Sequence, residues 1–204
     1  GIFPRTWSES IIVPIYKRGD RTDPDNYRGI TITSIFSKVF LHIVQDRIDQ
    51  WLNTNDVIVE EQAGFRKGYS TIDNIFVLNC LVNRHLTRKK KLYVAFIDFK
   101  KAFDSVSRLA LWNILEKYGF SGKISQVLRS IYNEVKCCVR TENAISEFFP
   151  CFRGLKQGCK CSPKIFSIVI NTLDTEIKDK CKHGVQIMPN TPEISVLLFA
   201  DDIV

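Results

Sequence analysis

Three kinds of hydrophobic pattern alternate along this chain. The first is helical. Ile35, Phe36, Val39, Phe40, Ile43, Val44, Ile48, Trp51 and Leu52 recur at steps of three and four, which predicts an amphipathic helix over residues 34–52. Ser70-Thr71-Ile72-Asp73 reads as a capping box with Asp where Glu or Gln is usual, and opens a second long helix through about residue 87. Residues 109–118, stopped by Gly119, and residues 123–133 predict two shorter helices, packed by Leu109, Trp112 and Leu115 and by Ile124, Val127, Leu128 and Ile131. Ser162 caps a further helix with Pro163 at its first position. Ile165, Phe166, Val169, Ile170, Leu173 and Ile177 mark its buried face, and Gly184 ends it.

The second pattern is extended. Residues 10–16 form a short β-rich run interrupted by Pro14, which predicts an edge strand or an extended arm. Residues 135–140 and 146–149 predict a hairpin across Glu142 and Asn143, and residues 185–187 a strand before the turn Pro189-Asn190-Thr191-Pro192. The third pattern is an apolar run that ends in a carboxylate. Leu92-Tyr93-Val94-Ala95-Phe96-Ile97 leads directly into Asp98 and predicts a buried central strand. Val196-Leu197-Leu198-Phe199-Ala200 leads into Asp201-Asp202 and then Ile203-Val204, as a buried hairpin with a charged tip would.

An aspartate pair alone reads either as a solvated turn or as a cleft-facing site where a divalent cation offsets the repulsion. Asp98 is the third carboxylate that favours the cleft. A charge at the end of a buried strand opens onto a crevice, and Asp98 meets Asp201 and Asp202 if their strands are neighbours in one sheet. Three converging carboxylates make a hard-oxygen site suited to magnesium. Holding two ions, such a site suits phosphoryl transfer, with one ion activating the attacking hydroxyl and the other stabilising pyrophosphate.

Charge strengthens that reading. The 204 residues carry 29 Lys and Arg against 22 Asp and Glu, a net +7 with a pI near 9.0, which favours a polyanionic partner such as nucleic acid. Three polar loops are basic. The loop from Lys17 to Arg28 is either solvated or a phosphate clamp, in which Arg28 grips two oxygens at once and Lys17 acts as a point charge. Gly64-Phe65-Arg66-Lys67-Gly68-Tyr69 is either a connector or a holder of nucleic-acid backbone. Arg153-Gly154-Leu155-Lys156-Gln157-Gly158 is a glycine-flanked loop with one Gln. Arg88-Lys89-Lys90-Lys91, by contrast, suits a helix C-terminus.

At 45% hydrophobic and 25% charged residues the composition is that of a globular protein. Seven Cys without paired zinc-type spacing predict buried thiols in a reducing compartment, and Cys159-Lys160-Cys161 is read as incidental rather than a ligand pair. No apolar run approaches the length of a membrane span, so no membrane partner is expected. The start at Gly1 and the stop at Val204, inside the predicted return strand, lead us to expect a fragment.

Five blocks in order carry a family resemblance. They are Ile12-Val13-Pro14-Ile15-Tyr16-Lys17-Arg18-Gly19-Asp20 through Asn26-Tyr27-Arg28-Gly29-Ile30; Glu61-Gln62-Ala63-Gly64-Phe65-Arg66; Ala95-Phe96-Ile97-Asp98-Phe99-Lys100-Lys101-Ala102-Phe103-Asp104; Gly154-Leu155-Lys156-Gln157-Gly158-Cys159 through Ser162-Pro163; and Phe199-Ala200-Asp201-Asp202. Together they resemble the reverse transcriptase domain of a LINE-type, non-LTR retrotransposon. Group II intron and telomerase-type polymerases share the chemistry but fit the first and last blocks less well.

The resemblance implies an α+β right-hand polymerase with fingers and palm, the thumb absent. Residues 1–90 and about 107–158 would be mainly fingers, about 91–106 and 159–204 mainly palm. It implies RNA-directed DNA polymerase activity, adding dNTPs to a DNA primer on an RNA template with two Mg2+ ions, or Mn2+ in their place. Asp98 and Asp201 would bind both metals, Asp202 would support them, and the backbone carbonyl of Phe99 would complete one shell. Lys17 and Arg28 would hold the triphosphate, Phe103 would exclude a 2′-hydroxyl, and Gln157 would contact the incoming nucleotide or the template. Cys159-Lys160-Cys161 departs from the apolar pair usual after Gly-Cys, which alters the packing of that loop. An inactive, nucleic-acid-binding remnant of such an element is the alternative. A retrotransposon protein is expected in the nucleus or cytoplasm.

Overall fold

A computed structural model describes residues 2–181 and 184–204. In chain order its elements are α1 (Arg5–Ser8), β1 (Glu9–Tyr16), β2 (Tyr27–Thr33), α2 (Ile35–Thr54), α3 (Thr71–Thr87), β3 (Ile97–Asp98), α4 (Ala102–Ser105), α5 (Arg108–Lys117), α6 (Gly122–Asn133), β4 (Lys136–Val139), β5 (Phe149–Pro150), α7 (Ser162–Lys180), β6 (Val185–Gln186), β7 (Glu193–Ile194), β8 (Leu198–Phe199) and β9 (Asp202–Ile203). They fall into two compact units, one of Gly1–Trp51 with Phe103–Ser162, the other of Leu52–Ala102 with Pro163–Val204.

The first unit is built on a four-stranded sheet of order β2-β1-β4-β5. β1 runs antiparallel to β2 along its length, from Ser10 opposite Thr33 to Tyr16 opposite Tyr27, while β4 pairs only with residues 9–12. Pro14 therefore sits in the half of an inner strand that is locally an edge, where its missing N–H leaves no ladder bond unmade. In the same unit, α5 and α6 bury Leu111, Leu115, Leu128 and Ile131, and Trp51 meets Phe120 edge-to-face at 5.0 Å. Each such fully buried side chain contributes roughly 1.5–3 kcal/mol. Leu109 was expected in that packing, but it is exposed and Leu111 takes the buried position one helical face away. On α2 the apolar residues wrap more than halfway round. Leu41, Val44, Ile48 and Leu52 form the buried stripe, and Ile35, Phe36, Val39 and Ile43 are left exposed.

The second unit holds the three-stranded sheet β3-β9-β8, the two-stranded β6-β7 ribbon, α3 and most of α7. α3 begins as expected, with the Ser70 backbone N–H donating to Asp73 Oδ2 at 2.6 Å. α7 buries Ile165, Phe166, Ile168 and Ile170 and ends at Lys180, ahead of Gly184; residues 182 and 183 lie outside the described part. One expectation fails. Residues 92–97 are not a buried central strand: only Ile97 joins Asp98 in a ladder, β3 is an edge of its sheet, and Tyr93 and Phe96 are 86% and 73% exposed. Pairing over two residues cannot bury a six-residue run, so its apolar character alone was a misleading signal. All seven cysteines are free.

Candidate active site

Asp98 closes β3 and Asp202 opens β9, and the antiparallel register sets them directly opposite, with Ile97 opposite Ile203. Residues so paired project from one face with Cβ atoms about 4.5–5.5 Å apart. The period-two alternation then divides β9 cleanly. Ile203 is buried in the core, and Asp202 is exposed on the other side. Asp201 precedes it in the turn, half-buried, and Phe99 follows Asp98. None of the three aspartates forms an ion pair with a described residue, so the repulsion between them is not offset internally. Among the described residues no three carboxylate, His or Cys groups form a ready metal cage. An exposed pair of opposed carboxylates nonetheless fits magnesium, which is held by one or two carboxylates plus waters and substrate phosphates rather than by an all-protein cage.

The nucleotide-binding candidates lie in the first unit, and two of them meet. Arg28, on β2, donates from Nε to Gln157 Oε1 at 3.2 Å. Gln157 in turn donates from Nε2 to both carboxylate oxygens of Asp104, each at 3.1 Å. Because a carboxylate only accepts, the Gln157 amide must turn its NH2 towards Asp104 and its oxygen towards Arg28. The two Nη groups of Arg28 make no bond to a described residue and project from an exposed side chain. Lys17 is exposed at the end of β1, where its backbone N–H donates to Asn26 O at 2.9 Å and closes the polar loop. Phe103 is half-buried on α4, and its carbonyl accepts from Leu155 N–H at 2.8 Å.

The glycines around Gln157 explain why its loop lies so close to the backbone. Gly154 has φ +83°, and a Cβ there would stand 2.8 Å from Asp104 O. Gly158 has φ +99°, and its Cβ would stand 2.8 Å from Thr31 O. Arg108 fixes the same loop from α5, its guanidinium donating to the carbonyls of Gly154, Tyr132, Cys151 and Arg153 at 3.0, 3.0, 2.6 and 3.3 Å.

Several cations of the basic loops also bond within the protein. Arg66 donates to Val59 O and pairs with Glu60, Arg153 donates to Ser105 O, and Lys156 is buried with Nζ donating to Ser8 O at 3.0 Å. Burial pulls the Lys156 pKa down. The thiols of Cys159 and Cys161 are buried beside it; hydrogen bonding from Cys161 lowers the Cys159 pKa to about 6, with Lys156 helping, and raises that of Cys161. This loop's interior thus holds thiols and a buried ammonium.

Residues 15–204 match the family model described as reverse transcriptase (RNA-dependent DNA polymerase). The chain belongs to the reverse transcriptase family. Among curated proteins this reverse transcriptase chain is 28% identical over 167 residues to the probable RNA-directed DNA polymerase from transposon BS of Drosophila melanogaster, covering 81% of this chain and 18% of that protein. It is 27% identical over 208 residues to the Pol polyprotein of the type-1 retrotransposable element R2 of Popillia japonica, covering 100% and 28% respectively. The mobile element jockey of D. melanogaster encodes a further RNA-directed DNA polymerase, 23% identical over 203 residues, of which 21% is covered. The chain therefore spans less than a third of the length of these relatives, all products of retrotransposons without long terminal repeats. In fold it is similar to telomerase from Candida tropicalis, solved with a fragment of telomeric RNA, with a TM-score of 0.63 at 15% identity over 100% of this chain and 36% of that one. The α+β reverse transcriptase fold expected from sequence is the fold observed.

Sequence reasoning did not single out Asp104, Arg108 or Gln62. Asp104 and Gln62 stand inside blocks quoted for the resemblance, which was the available signal. Arg108 had none, because its work is done on backbone carbonyls.

Proposed function

We propose that this chain carries the nucleotidyl-transfer site of an RNA-directed DNA polymerase, extending the 3′ end of a DNA primer on an RNA template with dNTPs. The observation that carries the reading is the register placing Asp98 opposite Asp202 without a counter-ion among the described residues, in a chain of this family. Asp98 and Asp201 hold two Mg2+ ions, or Mn2+, with Asp202 in support and the Phe99 carbonyl as a further ligand. When bound, these ions activate the 3′-hydroxyl and stabilise the pyrophosphate that leaves as the new phosphodiester forms. Arg28 offers both Nη groups to triphosphate oxygens, since its Nε is spent on Gln157. Lys17 adds a mobile point charge. Gln157, with its amide orientation fixed by Asp104, contacts the nucleotide or the template. Phe103 excludes the 2′-hydroxyl of a ribonucleotide by its bulk. Fingers formed mainly by residues 1–90 and 107–158, and a palm formed mainly by 91–106 and 159–204, belong to the same proposal.

The test is magnesium-dependent dNTP incorporation on a primed RNA template. Asp98→Ala should lower the rate by about 1000-fold or more, equivalent to several kcal/mol of lost charge stabilisation. It should leave the metal-free chain as stable as before or slightly more so, because one of two opposed carboxylates is gone. Undiminished incorporation in that variant would overturn the assignment.

A further inference from the structure

The turn that carries Asp201 and Asp202 is held by a residue far from it in sequence. Phe199 pairs with Asp202, so Ala200 and Asp201 form a two-residue hairpin turn. Ala200 has φ +57°, whereas Asp201 does not lie in the positive region. That combination belongs to turns that prefer glycine at the first central position, and a side chain there costs about 1–2 kcal/mol. Such a conformation persists only where the surroundings enforce it.

Gln62 supplies the enforcement. Its side chain is fully buried, and Oε1 accepts from Ala200 N at 3.1 Å and from Gly64 N at 2.7 Å. Those two donors fix Oε1 as the oxygen, leaving Nε2 to donate to Ala200 O at 3.4 Å. One amide therefore spans the N–H and the carbonyl of the strained residue. The segment bearing Gln62 is tied to β8 as well: Leu198 N donates to Glu61 O and Ala63 N to Leu198 O, both at 2.9 Å. Gly64 permits the approach, since a Cβ there would stand 2.1 Å from Ala200 N. Arg66, freed of any phosphate duty, donates from Nη1 to Gln62 O at 3.4 Å and to Val59 O at 3.1 Å.

We infer that Gln62 is a positioning residue for the divalent-cation site: by clamping the Ala200 peptide in its left-handed turn it sets Asp201 and Asp202 in the arrangement that binds metal with Asp98. This rests on the reading of those aspartates as metal ligands. Partners that orient ligands in this way typically change metal affinity by 10–100-fold when removed.

The experiment measures Mn2+ binding to the chain by electron paramagnetic resonance, with urea denaturation alongside. Gln62→Met keeps the volume and removes all three hydrogen bonds. It should weaken Mn2+ binding about tenfold or more. Adding Ala200→Gly, which makes the left-handed turn intrinsically comfortable, should restore most of the affinity but not the stability lost with the buried hydrogen bonds. A residue that merely filled the core would show no such separation. Should Gln62→Met not fold, Gln62→Glu, which retains both accepted bonds, is compared with and without Ala200→Gly for the same gain in affinity. Wild-type affinity in a folded Gln62 variant, or weakened affinity that Ala200→Gly fails to raise, overturns the inference. Binding in the wild-type chain that survives Asp98→Ala instead overturns the metal-site reading beneath it, so the two failures are distinguishable.

Discussion

Asp174 shows how a single buried charge sets a pH dependence. It is 1% exposed on α7, with Oδ2 at 3.0 Å from Lys178 Nζ and Oδ1 without a hydrogen-bond partner among the described residues. Desolvation raises its pKa above the ordinary 3.8, and the bond to Lys178 only partly counters this. A carboxyl whose pKa is higher folded than unfolded binds its proton more tightly in the native state. Its penalty is absent below the unfolded value of 3.8 and grows as pH rises through the raised one. Asp174→Asn should therefore gain stability relative to the wild type between pH 3.5 and pH 7, both measured by urea denaturation. A constant difference across that range would show that Lys178 already neutralises the burial cost. The sequence could not reveal this: Asp174 sits among polar residues on the α7 repeat, and only the fold buries it.

Among the elements, the helices were legible and the strands less so, for physical reasons. A helix repeats its apolar face several times, so α2, α3, α5, α6 and α7 emerge from spacing and caps, with Ser70 and Asp73 marking one start to the residue. A two-residue strand such as β3 repeats nothing, and the exposed run before it looks like a buried strand until its ladder is seen. The positions of Asp98, Asp201 and Asp202 were readable because each ends an apolar run. Their pairing depends on register, and the Gln157–Asp104 and Gln62–Ala200 contacts on side-chain geometry, none of which a one-dimensional pattern encodes. The Gln157 loop offers an element-scale test through its glycines. Gly154 and Gly119 have similar positive φ of +83° and +77°, but a Cβ at Gly154 meets Asp104 backbone, while one at Gly119 meets nothing within 4 Å. Gly119→Ala should cost only the backbone strain, about 1 kcal/mol, and leave the KM for dNTP unchanged. Gly154→Ala should cost more than that and raise the KM, because the displaced loop carries Gln157 away from Arg28. Equal effects of the two substitutions would separate loop position from nucleotide affinity and refute the role given to Gln157.

Across the whole molecule, the net charge of +7 overstates the surface available to a polyanion. Arg66, Arg108 and Lys156 spend hydrogen bonds on backbone carbonyls and are at least half-buried, and none of the three offers an unencumbered cation. Lys17, Arg18 and Arg28 remain exposed around one polar loop of the first unit. This separates two kinds of cation that composition counts alike. Affinity for nucleic acid falls with salt in proportion to the phosphates neutralised, with a slope in log–log form of about −0.9 per contact on a duplex and −0.7 on a single strand. Binding of a primed RNA template to this chain should therefore weaken steeply with added salt. Lys17→Ala and Arg28→Ala should each make the slope shallower by roughly one contact. Lys156→Met, by contrast, should shift affinity, if at all, equally at every salt concentration, because its ammonium is buried and donates to the Ser8 carbonyl. The measurement is a fluorescence-anisotropy titration from low to moderate salt for the wild type and the three variants. If Lys156→Met flattens the slope as much as Arg28→Ala does, burial inside the protein does not withdraw a cation from the phosphate backbone. The net charge would then be the better guide to the binding surface.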